Sequence, residues 1–317
     1  MGTVRCLRAL DEVFSPKELA AIRAACIGPT YSSYTYRRAQ WALPLDAATQ
    51  VAVSRPELPS ASVPATWQEV VSLSEKTGKV ALSLAGPHAL LSFFSICSAF
   101  GFLPGEDDPS VFVSDEVGTA AIGLMQRLSE RSPLSVRGKN PIGILGHMQD
   151  QDDILYCPLI YGYVNYASPA NATPLVFHNA PAQRHGGRPG ATLGGTGIAI
   201  SRRCPVTPEL KAHLLWLMSR DAQVGFIPRY DGQPSFRAAW QDGAVNREWG
   251  GFYRNTEASL EQSYVRPRYA GYIPFQSKAS ECLREQLAAG NEPATVLDRL
   301  RALYEASRLG QREEVLS

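Results

Sequence analysis

The sequence has no excess of charge of either sign: 31 basic residues stand against 30 acidic ones over 317 residues, a net charge of +1. Without a field of one sign nothing holds a polyanion or an anionic bilayer, which sets nucleic acid aside as a partner. Charged residues are scarce at 19%, below the usual quarter, while apolar residues reach 44%, so the chain reads as folded and not disordered. The six cysteines, Cys6, Cys26, Cys97, Cys157, Cys204 and Cys282, form no C-x-x-C pair and have no histidine at ligand spacing. They read as small buried apolar residues, and neither a metal nor a cofactor is expected. Long hydrophobic runs are lacking as well. The uncharged stretch over 80–103 is interrupted by Gly86-Pro87-His88 and diluted by Ser83, Ser92, Ser95 and Ser98, which fits a strand, a turn and a helix better than a membrane span. The opening MGTVRCLRALDEVFSPKEL has no apolar h-region and no small-residue cleavage site, so no export signal is read in it.

Catalytic signatures are missing too. The sequence holds no G-x-S-x-G and no H-E-x-x-H, and its five histidines have no recognisable nucleophile partner. Asp150, Asp152 and Asp153 cluster before an apolar segment, where paired carboxylates can bind a metal or share a proton, but short acidic runs in loops are ordinarily solvated. The run from Gly194 to Gly197 resembles a phosphate cradle only superficially, because no lysine follows and it precedes a strand.

What is present is an alternation of strands and helices without internal repeats. Ser15 caps a helix that Pro16 and Glu18 start, with Leu19, Ile22, Ala25 and Cys26 at helical spacing. After a turn at Arg37-Arg38 the pattern predicts strands over 40–43 and 49–53, and a Pro- and Ser-rich connector over 56–64. Thr66 with Glu69 then caps a helix over 67–76. A strand is expected over 79–84, helices over 88–100, 115–130 and 141–149, and a strand within 153–166 that ends in tyrosines. A loose glycine-rich stretch over 179–197 leads into a strand over 198–201 and a helix over 208–220. Helices over 255–264, 277–288 and 293–308 follow, and 311–317 reads as a frayed polar tail. This alternation implies an α/β architecture.

Rings and hydrogen-bonding groups concentrate in loops at the strand ends: Trp41 and Asp46; His88; Tyr161, Tyr163, Asn165 and Tyr166; and Trp249, Arg266, Arg268 and Tyr272. A ring face covers the C–H surface of a sugar while Asp, Asn and Arg satisfy its hydroxyls, so the mixture suits a neutral polyhydroxylated ligand. Any one of these rings is equally compatible with a half-buried core position.

The segments QWALPLDAATQVAVSRPEL and PATWQEVVSLSEKTGKVAL resemble the middle of the family 1 extracellular solute-binding proteins, the sugar-binding components of bacterial ABC importers. TLGGTGIAISRRCPVTPELKAHLLWLMS looks like that family's return crossing, and the stretch from VRPRYAGYIPF to Arg308 is similar to its closing helices. The resemblance implies a two-lobed periplasmic-binding-protein-like fold of type II with discontinuous lobes: 1–50 with 197–245, and 51–196 with 246–317. It implies Asp46 in the cleft at the first crossing, Gly194, Gly195 and Thr196 at the return crossing, Tyr161 and Tyr163 facing the cleft, Arg268 in the loop before the last helices, and His88 near them. Trp41 and Asn165 join this set from the reading of the residues. The partners it implies are a sugar or polyol and the membrane permease of an importer, for a monomeric, non-enzymatic protein in the periplasm or outside the cell. Against that pattern, a signal peptide and the opening strands of the first lobe are not recognised, so that lobe is expected to be incomplete, and a chain truly starting at Met1 would be cytoplasmic. Two other readings stay open: an intracellular carbohydrate-metabolising enzyme using Asp46 or the acidic cluster from Asp150 to Asp153, and a truncated relative that binds no small ligand.

Overall fold

The computed structural model of the chain describes residues 6–106 and 108–316, with side chains as far as Arg308. Helix α1 (Pro16–Ala25) begins where the Ser15 hydroxyl accepts from the Glu18 amide and the Glu18 carboxylate accepts from the Ser15 amide. Two of the amides that a helix start leaves unpaired are thereby satisfied. Strands β1 (Thr35–Tyr36) and β2 (Ala39–Gln40) form a hairpin whose two tip residues, Arg37 (φ 49°) and Arg38 (φ 64°), are both left-handed. A hairpin tip of this type favours Asn-Gly, and each arginine there costs about 1 kcal/mol. The strand expected over 40–43 is therefore split: Trp41 and Ala42 leave the ladder and β3 (Leu43–Asp46) starts beyond them.

Strand β4 (Gln50–Ser54) is buried throughout and leads to α2 (Trp67–Thr77), capped by Thr66 and Glu69 in the same reciprocal way as α1. The strand expected over 79–84 reduces to a single bridge, Val80 to Tyr156, because the turn at Gly86-Pro87 carries the chain into α3 (His88–Ala99) before a ladder extends. Helices α4 (Asp115–Arg131) and α5 (Pro141–Asp150) precede β5 (Tyr156–Tyr161), β6 (Val176–His178) and β7 (Thr196–Ile198), the last two residues earlier than expected. Helix α6 (Pro208–Leu217) stops short of 220 and is followed by a π-helical turn, Asp221–Phe226. Short helices α7 (Ile227–Arg229), α8 (Arg237–Gln241) and α9 (Gly243–Glu248) lead to α10 (Phe252–Glu261), α11 (Tyr272–Ala288) and α12 (Pro293–Leu316). The tail read as frayed continues α12 to Leu316, and Ser317 lies outside the described residues.

Two sheets matter for function. β4 is the centre of an antiparallel sheet in the order β5-β4-β6, and β3 pairs with β7 in a separate antiparallel ribbon. The buried side chains fall into three clusters. One gathers Leu10, Phe14, Leu19, Ile22, Leu43, Ile200, Leu214, Met218 and Phe236 around α1 and α6. A second surrounds β4 and β5 with Ile144, Trp240 and Phe252, and a third joins α2, α3, α4, α11 and α12 through residues such as Phe94, Phe112, Leu283 and Leu300. The architecture is two-lobed, and the β3/β7 ribbon lies where the chain passes between the first cluster and the other two. A further passage lies between Phe236 in the first cluster and Ala239 and Trp240 in the second, so Trp240 and Val245, read from sequence with the first lobe, pack with the second cluster.

Two of the serines that dilute α3, Ser92 and Ser95, form a buried polar knot, while the buried Ser98 hydroxyl has no partner among the described residues. Gln50 Nε2 donates to Ser92 Oγ (3.1 Å), the Ser95 hydroxyl donates to Gln50 Oε1 (2.6 Å), and Ser95 Oγ lies 2.9 Å from Thr192 Oγ1. Thr192 in turn donates to the Leu91 carbonyl (3.1 Å). All of these side chains are buried, and each of them finds a partner, which is the condition under which a polar group is tolerated in a core.

Candidate functional site

The β3/β7 ribbon registers Leu43 with Ile198, Pro44 with Gly197 and Asp46 with Thr196. Glycine is required beside it. Gly195 has φ +89°, and a Cβ there would lie 2.3 Å from the Asp46 carbonyl oxygen, while a Cβ on Gly194 would lie 2.5 Å from the Tyr161 ring. These two positions let strand backbone and ring approach the ribbon at van der Waals distance. The Tyr34 ring closes on the other side, against Gly197.

Asp46 ends β3, half-buried, and burial pushes its carboxyl up to about 6 although backbone amides of Gln233 and Thr196 donate to it and pull the other way. Tyr161 ends β5; its ring makes an edge contact with His88 at 5.7 Å, and burial raises its phenol to about 12. His88 is the first residue of α3. Burial pushes its ring below the usual histidine range, and its buried Nδ1 has no hydrogen-bond partner among the described residues, so the neutral imidazole has one unused polar atom. Arg266, in the loop between α10 and α11, donates from Nη1 to Gln276 Oε1 (3.0 Å), which also accepts from the Tyr272 hydroxyl (3.0 Å). Its charge acts on Tyr34, Tyr161 and Tyr272, easing the rise that burial imposes on each phenol.

The structure thus brings Asp46, His88, Tyr161, Gly194, Gly195 and Thr196 to one place. Tyr163 is adjacent and 39% exposed, and Asn165 is exposed on the following turn, where its carbonyl accepts from the Asn171 side chain. Trp41 stands at the base of the hairpin with its indole Nε1 donating to the Tyr36 carbonyl (2.9 Å). Trp249 is a core residue, its Nε1 bonded to the Pro228 carbonyl. Arg268 Nη1 is engaged by the carbonyls of Ser32 (3.1 Å), Ser33 (2.7 Å) and Thr35 (2.6 Å), a tie from the closing-helix loop to the segment that carries the hairpin. Arg268→Ala is expected to cost about 1 kcal/mol, the low end for charged hydrogen bonds because the group is exposed. Hydrogen exchange should quicken in 32–36 and 266–271; unchanged exchange there would mean that the tie contributes nothing.

Sequence reasoning did not place Tyr34, Gln233 or Gln276 at the site, and it noted Arg266 and Tyr272 only as members of a scattered set. Gln233 is the most informative omission: its carbonyl accepts from the Ala47 amide (2.7 Å), its Nε2 donates to the Ala47 carbonyl (3.2 Å), and its Oε1 accepts from the Val164 amide (3.1 Å). Nothing local in the sequence signals a contact across 186 positions. Of the acidic cluster, Asp153 is engaged by its neighbours, accepting from the Ser135 hydroxyl and lying 2.7 Å from His147 Nε2. Among the described residues no group of three or more His, Cys, Asp or Glu side chains could hold a metal ion. A cavity of about 420 Å³ opens between α2 and α4, lined by Trp67, Val117 and Arg127 among others, and does not touch the ribbon.

No protein-family model matches the sequence, and no curated protein sequence matches it. Solved structures do match in shape. The sugar-binding protein MalE of Xanthomonas citri superposes with a TM-score of 0.79 at 12% identity, over 100% of this chain and 82% of that one. A solute-binding protein of an ABC transporter from Agrobacterium radiobacter K84, in complex with ribitol, gives a TM-score of 0.75 at 20% identity, over 97% and 81% of the two chains. Maltose-bound MalE3 of T. maritima gives 0.74 at 17% identity, over 95% and 80%. At such identities the likeness establishes the two-lobed fold.

Proposed function

We propose that the chain is the substrate-binding component of an ABC-type importer and captures a sugar or sugar-like solute in the cleft at the β3/β7 ribbon. The observation that carries this reading is the convergence of a carboxylate, a neutral imidazole, tyrosine rings and a guanidinium from segments far apart in sequence onto the one ribbon that joins the lobes. The Tyr161 ring supplies a face for the C–H surface of a sugar, Asp46 accepts from its hydroxyls, and the exposed backbone around Gly195 approaches it closely. Contacts made from both lobes are completed only when the cleft closes, so solute binding shifts the population toward the closed state. The fold likeness to proteins solved with maltose and ribitol supports the class of solute. A monomer that hands its solute to a membrane permease on the outer side of a membrane follows from this reading. No helix among the described residues is long and apolar enough to cross a membrane itself.

The test is calorimetric titration of the chain with maltose, ribitol, mannitol and tagatose. One-to-one saturable binding of at least one is expected, and Tyr161→Ala should weaken it by about 1 to 3 kcal/mol with little loss of fold stability. Absence of binding to every sugar and polyol, neutral or acidic, or identical affinities for wild type and variant, would overturn the proposal.

A further inference from the structure

Arg266 has no carboxylate within salt-bridge distance among the described residues, and no aromatic face beneath its guanidinium. Its Nη1 is held by Gln276, which the Tyr272 hydroxyl holds in turn, so the planar group is oriented in advance. The guanidinium also lies within reach of the Tyr272 hydroxyl, and its other donors are not sealed from solvent among the described residues. The charge therefore sits beside Tyr34, Tyr161 and Tyr272 with no acid to neutralise it among the described residues.

It is not alone. Arg37 and Arg38 project from the strained hairpin tip, exposed and likewise without a carboxylate partner, and Arg268 binds the hairpin through carbonyl oxygens only. The acids nearby are otherwise used: Asp11 accepts from the Gln40 amide (2.8 Å), and Asp46 from the amides of Gln233 and Thr196. In a chain whose total charge is +1, four arginines without acidic partners among the described residues are carried by the hairpin and by the loop that Arg268 ties to it. Closing a cleft over a neutral solute would strip water from Arg266 and leave a cation uncompensated, which is costly; an anion removes that cost and gains a paired, charge-assisted contact.

We propose that the solute of this site carries one acidic group on a polyhydroxylated body, that Arg266 receives the acidic group, and that Arg37 and Arg38 attract it to the cleft. The proposal rests on the solute-binding reading above. In this arrangement the hydroxyl end of the solute meets Asp46 and the acidic end meets Arg266, so the two opposite charges of the site fix its direction. Carboxylate and phosphate share the chemistry that Arg266 recognises.

The experiment is calorimetric titration of the chain with matched pairs: gluconate against sorbitol, glucuronate against glucose, and glucose 6-phosphate against glucose. The acidic member of at least one pair is expected to bind about tenfold or more tightly than its neutral partner, with affinity falling between about 0.05 M and about 0.3 M NaCl. Preference in the first two pairs identifies a carboxylate, and preference in the third alone a phosphate. Arg266→Gln should bring acid and neutral partner to within about twofold of each other, Arg266→Lys should retain part of the preference, and the double variant Arg37→Gln, Arg38→Gln should slow association while leaving dissociation nearly unchanged. Thermal unfolding of each variant separates a binding effect from a folding one. Neutral partners that bind as tightly as their acids overturn this proposal and leave the solute-binding function standing. Wild-type protein that binds no member of any pair, nor the neutral sugars tested above, overturns both.

Discussion

Replacing Asp46 with Asn should stabilise the protein at neutral pH and weaken its grip on solute at the same time. The folded-state carboxyl titrates at about 6 against a reference of 3.8, so the unfolded chain gives up its proton first as pH rises. The contribution of this group to stability is complete below the unfolded value, declines through the interval between the two, and is fully lost above the folded one. At about 1.4 kcal/mol for each pH unit of separation, the wild type forfeits about 1 to 3 kcal/mol above that window, the lower figure allowing for the half-exposed position. Asn keeps an oxygen to accept from the Gln233 and Thr196 amides and carries no charge to bury. Denaturant unfolding of wild type and Asp46→Asn should show their smallest difference near about pH 3 and a gap that opens in favour of the variant by about pH 7. Solute affinity should fall about tenfold or more, because a charged acceptor is exchanged for a neutral one. Stability curves that stay parallel across this range would show that Asp46 is not held against solvent at the ribbon, and the role given to it would fail.

The largest loss of stability is expected from Phe112→Ala. Phe112 is 4% exposed; its ring stacks on Phe93 at 5.8 Å and lies 6.0 Å from Phe94, 5.7 Å from Phe275 and 5.1 Å from Tyr304. One loop side chain thus joins α3, α11 and α12, and α11 is the helix that carries Tyr272 and Gln276. Emptying the site removes apolar contact and leaves a cavity that four aromatic neighbours cannot all move to fill, a cost of about 3 to 5 kcal/mol. At roughly 2 to 4 °C for each kcal/mol in a chain of this size, the melting temperature should fall by about 10 °C. Phe112→Leu should cost less than half as much. A midpoint within experimental error of wild type for the alanine variant would mean that the three helices are not cemented there.

The parts of the fold that could be read from sequence are those whose physics is local. Ser15 with Glu18 and Thr66 with Glu69 are capping pairs three residues apart, and both form as read. The strand at 79–84 could not be judged in the same way, because a strand exists only if a neighbour pairs along its length, and here the contact with the outer edge of β5 stops at the Val80 bridge before the chain turns into α3. Arg37-Arg38 was legible as a turn, but its strain was not, since it depends on the pairing of Thr35 with Gln40. At the site, Asp46 and the glycines beside Thr196 stood out through the resemblance of their segments. Arg266 did not, because an arginine becomes unusual only when no acid proves to lie near it, and that is a property of the folded arrangement. Ser92 and Ser95 read from sequence only as diluting an apolar run, because their partners Gln50 and Thr192 lie 42 or more positions away.

That buried knot has a mechanical meaning. Gln50 follows the outgoing crossing and Thr192 precedes the returning one, and both are fastened to Ser95 of the same helix. The two crossings therefore leave the larger lobe as a fixed pair of pins and cannot slide past one another. With the further passage after Phe236 these make three tethers between the first cluster and the rest, and two of the three are held at one fixed spacing by a single helix.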